Sequence, residues 1–210
     1  MATPKPKAKT VDKLKSSILN PALTSTYECH FNPPSDVRSW IYSRSILKLG
    51  NGYSPGTLGE KLTLSCRDAA LPGTSLATHT LDNDFTGVTE RHAYRRQYNP
   101  TASFTFYVDK EYDLIYFFEN WIAFIVNESG LSEAEKENYS YRVNFPNEYK
   151  TDIFIRKFER DYEGRNLEYK FLNAYPISID QMDVSYDASE LLLCRVNFNF
   201  SRYVLRSKNN

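Results

Sequence analysis

The side chains that could bind metal or carry out chemistry are few. His30, His79 and His92 are the only imidazoles, and Cys29, Cys66 and Cys194 the only thiols. Cys29 and His30 are adjacent, so on a strand they point to opposite faces and cannot share an ion. No Cys-x-x-Cys or His-x-x-x-His pair supplies zinc spacing. Asp82 and Asp84 have the spacing of the first two ligands of a calcium loop, but the Gly and the bidentate Glu that complete such a loop are missing, and a turn is the better reading. Gly50-Asn51-Gly52 begins like a dinucleotide fingerprint, yet Pro55 stands where the third Gly belongs. No Gly-x-Ser-x-Gly elbow is present. No catalytic residue, cofactor or metal is therefore expected, and an enzyme is the least favoured class.

One polar constellation is suggestive. Arg91, Arg95 and Arg96 lie with Tyr94 and Tyr98 in one segment, and strand arginines between aromatics can hold single-stranded nucleic acid. The opposing reading is a solvated or subunit-facing surface. It is favoured because 26 basic residues balance 26 acidic ones, leaving no global attraction to polyanions or anionic membranes.

The elements that must position these groups follow from the patterning. The chain has 210 residues, enough for one core, and 15% of them are aromatic, with 16 Tyr and 13 Phe. Aromatics favour strands, and Tyr suits surfaces that are covered on assembly. The odd number of cysteines, each in an alternating apolar stretch, predicts free core thiols. The most apolar segment, 114–126, contains Glu119 and Asn120 and is shorter than the ~20 residues of a spanning helix, so no membrane contact is expected.

Residues 1–20 read as an N-terminal arm with a short helix, its first ten residues too rich in Lys and Pro to pack. Strands are expected at 26–31, at 61–67 (Leu62, Leu64 and Cys66 inward), at 75–81, 88–98 and 102–108, at 151–160 and 167–172 around a turn at 163–166, and at 191–205. Residues 50–59 read as a loop. The helix is expected at 111–126, with Leu114, Phe117, Phe118, Trp121, Ile122 and Ile125 as its stripe and Asp109 as N-cap. Residues 127–141 read as a polar loop, and Ala174-Tyr175-Pro176 as a turn. In the last strand Leu192, Cys194, Val196, Phe198 and Phe200 alternate with Arg195, Asn197, Asn199 and Ser201. One dry and one wet face suit an antiparallel sheet solvated on one side.

Two segments resemble a known family. Leu62-Thr63-Leu64-Ser65-Cys66-Arg67-Asp68-Ala69-Ala70-Leu71-Pro72-Gly73 precedes the aromatic strand and the Phe117-Phe118-Trp121 helix. Ala174-Tyr175-Pro176-Ile177-Ser178 and Val184-Ser185-Tyr186-Asp187 precede the long last strand. In this order they resemble the tail tube proteins of contractile-tailed phages, over about residues 60–205.

The resemblance implies a single domain, mainly β within the α+β class. Its core would be an antiparallel β-barrel or sandwich over 60–205 with a flanking helix near 111–126 and an inserted loop at 32–60. It further implies a virion protein assembled in the host cytoplasm, in hexameric rings that stack into a tube passing genomic DNA, with sheath and baseplate or tail-terminator proteins as neighbours. Arg195, Asn197, Asn199 and Ser201 would then line the lumen. The opening Tyr27-Glu28-Cys29-His30-Phe31-Asn32-Pro33-Pro34-Ser35 resembles the tube-initiator proteins at the baseplate, which keeps a junction ring open as the alternative. A nucleic-acid-binding β module is the alternative from another class.

Overall fold

The computed structural model describes residues 11, 15, 22–43, 55–82, 87–128, 142–159, 165–187 and 190–209. The N-terminal arm, most of the short helix expected after it, most of the 127–141 loop, Asp84 and the start of the 163–166 turn lie outside the described residues.

The chain runs β1 (Tyr27–Phe31), α1 (Ser35–Ser43), α2 (Pro55–Ser65), β2 (Cys66–Ala69), β3 (Thr74–Leu81), β4 (Glu90–Tyr98), β5 (Thr101–Tyr107), α3 (Asp113–Ile125), α4 (Pro146–Tyr149), β6 (Thr151–Lys157), β7 (Arg165–Ile179), β8 (Leu193–Asn199) and β9 (Arg202–Asn209). Seven strands form an antiparallel path in the order β1-β6-β7-β8-β5-β2, with β9 also on β7, while β3 and β4 pair only with each other.

β7 is the hinge of this architecture. Its first part pairs with β6 on one side and β9 on the other, and its last residues, from Tyr175 to Ile179, pair with β8. Asn173, at φ 57°, marks the change, and the register shifts between Pro176 and Ser178. Asn tolerates this left-handed backbone better than most residues. Pro176 lacks a ladder N–H and sits where β7 has a partner on one side only, which is where a strand accepts proline. β8 and β9 turn the same corner at Phe200 and Ser201, where the Ser201 amide donates to the Leu172 carbonyl at 3.0 Å.

The two layers face each other across an aromatic core. Phe31 of β1 meets Phe104 and Phe106 of β5 at ring separations of 5.1 and 5.4 Å, and Phe171 of β7 meets Phe104 at 6.3 Å. Helix α3 covers the open side. Its buried Leu114, Phe117, Phe118 and Trp121 recur at helical spacing, and Phe118 reaches Phe106 at 5.1 Å. The Trp121 indole N–H is satisfied by the Tyr149 carbonyl at 3.1 Å. β1 and β2 end the path without pairing with each other, so the body is a sandwich and not a closed barrel.

Several expectations need correction. The segment 61–67 is not one strand, and 55–59 is not loop: helix α2 runs from Pro55 to Ser65, and only Cys66 begins a strand. Leu62 is fully buried while Leu64 is 83% exposed. Two residues apart they would share a strand face, but on a helix they lie about 200° apart. The three-residue alternation Leu-Thr-Leu could not decide between the two periods. Residues 32–60 therefore carry helical structure in α1 and α2 beside the expected flanking helix.

Helix α3 starts at Asp113. Its N-cap is Tyr112 in the left-handed region at φ 59°, with no side-chain cap, so Asp109 does not cap it. Ala174-Tyr175-Pro176 is a bend inside β7 and not a turn between elements. The last strand is two strands, because the corner at Phe200–Ser201 moves the chain from one layer to the other.

Candidate assembly interface

The β3–β4 hairpin leaves the body as a two-stranded ribbon. Its rungs run from Thr74↔Tyr98 to Leu81↔Glu90, with a bulge near Ala77 and Thr78. Ala77 and Tyr98 are partly shielded, and its other residues are exposed. Leu76 is 63% exposed, Tyr94 70%, and Val88 beside the ribbon 65%. A lone two-stranded ribbon is marginally stable in water, and open backbone edges with apolar side chains suit pairing with another chain.

Among the described residues, the ribbon is pinned to the body at its base. The Arg96 guanidinium stacks on Tyr98 at 4.9 Å and Tyr203 at 5.5 Å, and Nε donates to Thr74 Oγ1 at 3.0 Å. Arg95 is Arg96's neighbour on the strand and so faces the other side, while Arg91 stands opposite Thr80 farther along. The three arginines share a strand, as expected, but do not converge on one face.

A second surface is the outer side of the β5–β8–β7 layer. Asn197 is its centre. Ser103 Oγ donates to Asn197 Oδ1 at 2.5 Å, and Asn197 Nδ2 lies 3.0 Å from Ser178 Oγ and 2.7 Å from Asp180 Oδ1. Arg195 is exposed, with Nε 4.0 Å from Asp180 Oδ2. A cation there is offset by a carboxylate, which weakens any grip on phosphate. Asn199 stands at the end of the row, opposite Thr101 and Tyr175. Ser201 has left it: beyond the corner, it lines a shallow cleft at the hairpin base with Ser75, Arg95 and Asn99. Structure thus keeps Arg195, Asn197 and Asn199 on one row and separates Ser201. Ser178 and Asp180, two residues apart on the outward side, were missed in the sequence; their alternation was the available signal.

A third feature binds the body internally. Lys61 of α2 sits among Asp109, Glu111 and Asp113, with Nζ 2.6 Å from Asp113 Oδ2, 3.7 Å from Glu111 Oε2 and in contact with Asp109. The three carboxylates lie within 4.8 Å of one another, a spacing that could suit a cation. The lysine ammonium already supplies that charge. No helix among the described residues is long and apolar enough to cross a membrane.

Comparison with known proteins agrees with this architecture. Residues 22–206 match the family described as phage tail tube protein. No curated protein matches the sequence. Among solved structures, the tube-terminating cap of the anti-feeding prophage is similar with a TM-score of 0.54 and 13% identity, over 90% of this chain and 93% of that one. A chain of the anti-feeding prophage baseplate gives 0.53 at 8% identity, over 89% and 96%. A chain of the sheath–tube complex of the extracellular contractile injection system PVC gives 0.51 at 9% identity, over 96% and 100%. At such identities the likeness is one of fold.

Proposed function

The chain belongs to the phage tail tube protein family, and from that premise we propose that it is a protomer of hexameric rings that stack into the inner tube of a contractile tail. The observation that carries this reading is the β3–β4 hairpin. It extends from a finished core, exposes Leu76 and Tyr94, and has no third strand among the described residues. Such a ribbon gains most by pairing with a neighbouring copy. Closed rings built from one repeated head-to-tail contact, with two complementary patches on each copy, also offer partners to the open sheet edges at β1, β2 and β9.

In this reading the row of Arg195, Asn197 and Asn199 faces the lumen. Its side chains are polar and its one cation is balanced by Asp180, which favours passage of genomic DNA without retention. The role is structural and not catalytic. The partners are further copies, the sheath, and baseplate or tail-terminator proteins. The chain is assembled in the host cytoplasm and works in the virion.

A second reading is a single ring that caps or initiates the tube. Its support is the likeness to a tube-terminating cap and a baseplate chain at TM-scores equal to or above that of the tube. A nucleic-acid module using Arg91, Arg95 and Arg96 fits less well, because Arg96 is engaged with Tyr98 and Tyr203.

Light scattering on the purified chain at rising concentration, beside titration with a single-stranded oligonucleotide at two salt concentrations, separates the readings. Open-ended growth supports the tube subunit. A fixed small ring supports the cap or initiator. A persistent monomer whose oligonucleotide affinity falls steeply with salt supports the nucleic-acid module.

A further inference from the structure

The connection between β7 and β8 leaves apolar side chains in solvent. Val184 is 85% exposed, Leu191 75%, and Tyr186 wholly. Asp183, Asp187 and Glu190 stand among them, all exposed, and the stretch from 180 to 192 holds no Lys or Arg. No ion pair among the described residues includes any of these three acids. Exposed apolar side chains grouped in this way mark a contact surface.

The β3–β4 ribbon carries the opposite charge at the opposite end of the body. Strands β5 and β8 define the two ends, pairing from Thr101↔Asn199 to Tyr107↔Leu193 over about 20 Å. The ribbon joins at the Thr101 end, where the Ala70 amide donates to the Ser103 carbonyl and Tyr98 precedes β5. The β7–β8 connection joins at the Tyr107 end, where the Val108 amide donates to the Leu192 carbonyl.

Register defines one face of the ribbon. Leu76, Thr78 and Thr80 alternate along β3 and share a side, and their partners Arg96, Ala93 and Arg91 share it with them. Tyr94 is the extra residue of the bulge, between the partners of Ala77 and Thr78. Glu90 is the one acid on the two strands, and it pairs with Leu81, on the other side. Arg96 is held at the base by Tyr98 and Tyr203. The free part of the face is therefore apolar at Leu76 and cationic at Arg91, with small side chains between.

We propose that the β7–β8 connection of one copy seats on this ribbon face of a copy in the adjacent ring. Its carboxylates face Arg91, and Val184, Tyr186 and Leu191 cover Leu76 and Tyr94. The occupant is a second copy because the two patches match in charge and in apolar character, while within one copy they leave opposite ends of the same strands. A contact between unlike patches at opposite ends repeats along an axis without closing, and so adds rings in a line. The inference rests on the tube reading for the ring alone; the contact itself needs only two copies.

The test uses two full-length variants of reversed charge, Arg91→Glu on the ribbon and Asp183→Lys with Asp187→Lys on the connection. All three positions are exposed, so each variant should melt within a few degrees of the parent. Sedimentation and electron microscopy then follow each variant alone and in equimolar mixture. Association of each alone should weaken at least about tenfold, with rings kept and stacks lost. The mixture should recover it, because the intact connection of one variant meets the intact ribbon of the other. Either variant stacking at the parent's concentration, or a mixture no better than its components, would overturn the proposal and leave the ring reading standing if rings form. Rings lost together with stacks would place the contact inside the ring and overturn it too. Pairs that form only in the mixture, with no rings in any sample, would uphold the contact and contradict the ring reading instead.

Discussion

Lys61 Nζ lies 2.6 Å from Asp113 Oδ2, joining α2 to the first turn of α3. The lysine side chain is 14% exposed and the aspartate 5%, so solvent does little to soften the loss of either partner. Asp113 also sits near the positive end of the α3 dipole. Removing the lysine leaves the enclosed Asp113 carboxylate beside Asp109 and Glu111 with no cation, at a cost of about 3–5 kcal/mol. Lys61→Ala should lower the urea midpoint by that equivalent; Asp113→Ala should lower it less, because Lys61 keeps Asp109 and Glu111, and the double variant should lose less than the sum. Additive losses, or single variants within about 0.5 kcal/mol of the parent, would show that the latch is not energetically coupled.

The terminal strands test the assignment of faces. Phe198 is completely buried, with rings of Phe104, Trp121, Phe118 and Phe31 around it at 5.4–6.1 Å. Phe198→Asp buries an unpaired charge and should unfold a domain whose total stability is about 5–15 kcal/mol. Asn199→Asp, on the outer row, should fold and assemble. Circular dichroism of the two variants decides. Tolerance of the first with loss of the second would mean the strand is turned over.

The hairpin should matter to assembly and not to folding. Leu76→Lys with Tyr94→Lys leaves every buried aromatic in place, since both residues are exposed. The thermal midpoint of the monomer should move by no more than a few degrees, while sedimentation should show loss of higher species. Unaltered assembly would move the copy-to-copy contact elsewhere.

Alkaline pH should weaken the fold. Burial, with Glu119 and Asp180 nearby, pushes the Cys194 thiol up to about 11. The protonated thiol is thus favoured in the folded chain. Its contribution is fully present below the ordinary thiol value of 9.0 and is lost as pH rises from there toward 11, by roughly 1.4 kcal/mol per pH unit for one proton. Tyr27, raised chiefly by burial, and Cys29 shift in the same direction. Midpoints measured from pH 7 to 10.5 should fall above about pH 9, and Cys194→Ala should reduce the slope. A flat profile would contradict this.

Much of the core was legible because long alternation leaves one period possible. Cys194, Val196, Phe198 and Phe200 are buried in turn, and Leu114, Phe117, Phe118 and Trp121 of α3 pack inward as their spacing predicts, whereas Ile122 and Ile125 are half-buried and Phe124, outside the expected stripe, is buried. Leu62 and Leu64 misled because so short a pattern fits either period, and tertiary contacts chose the helix. The corner at Asn173 and Phe200–Ser201 was hidden, since an apolar row continues unbroken when a strand changes layer. Of the outer row, Asn197 and Asn199 could be read from parity. The pairing of Asn197 with Ser103, Ser178 and Asp180 could not, because register between distant strands is set by the whole sheet.

The proposed tube is built from rings of this one chain. Electron microscopy of the purified full-length protein over a range of concentrations tests it most directly. Class averages should show six-fold rings with an open centre, and these should stack end to end into tubes of constant width as concentration rises. Isolated monomers at every concentration, or aggregates without rotational symmetry, would contradict it.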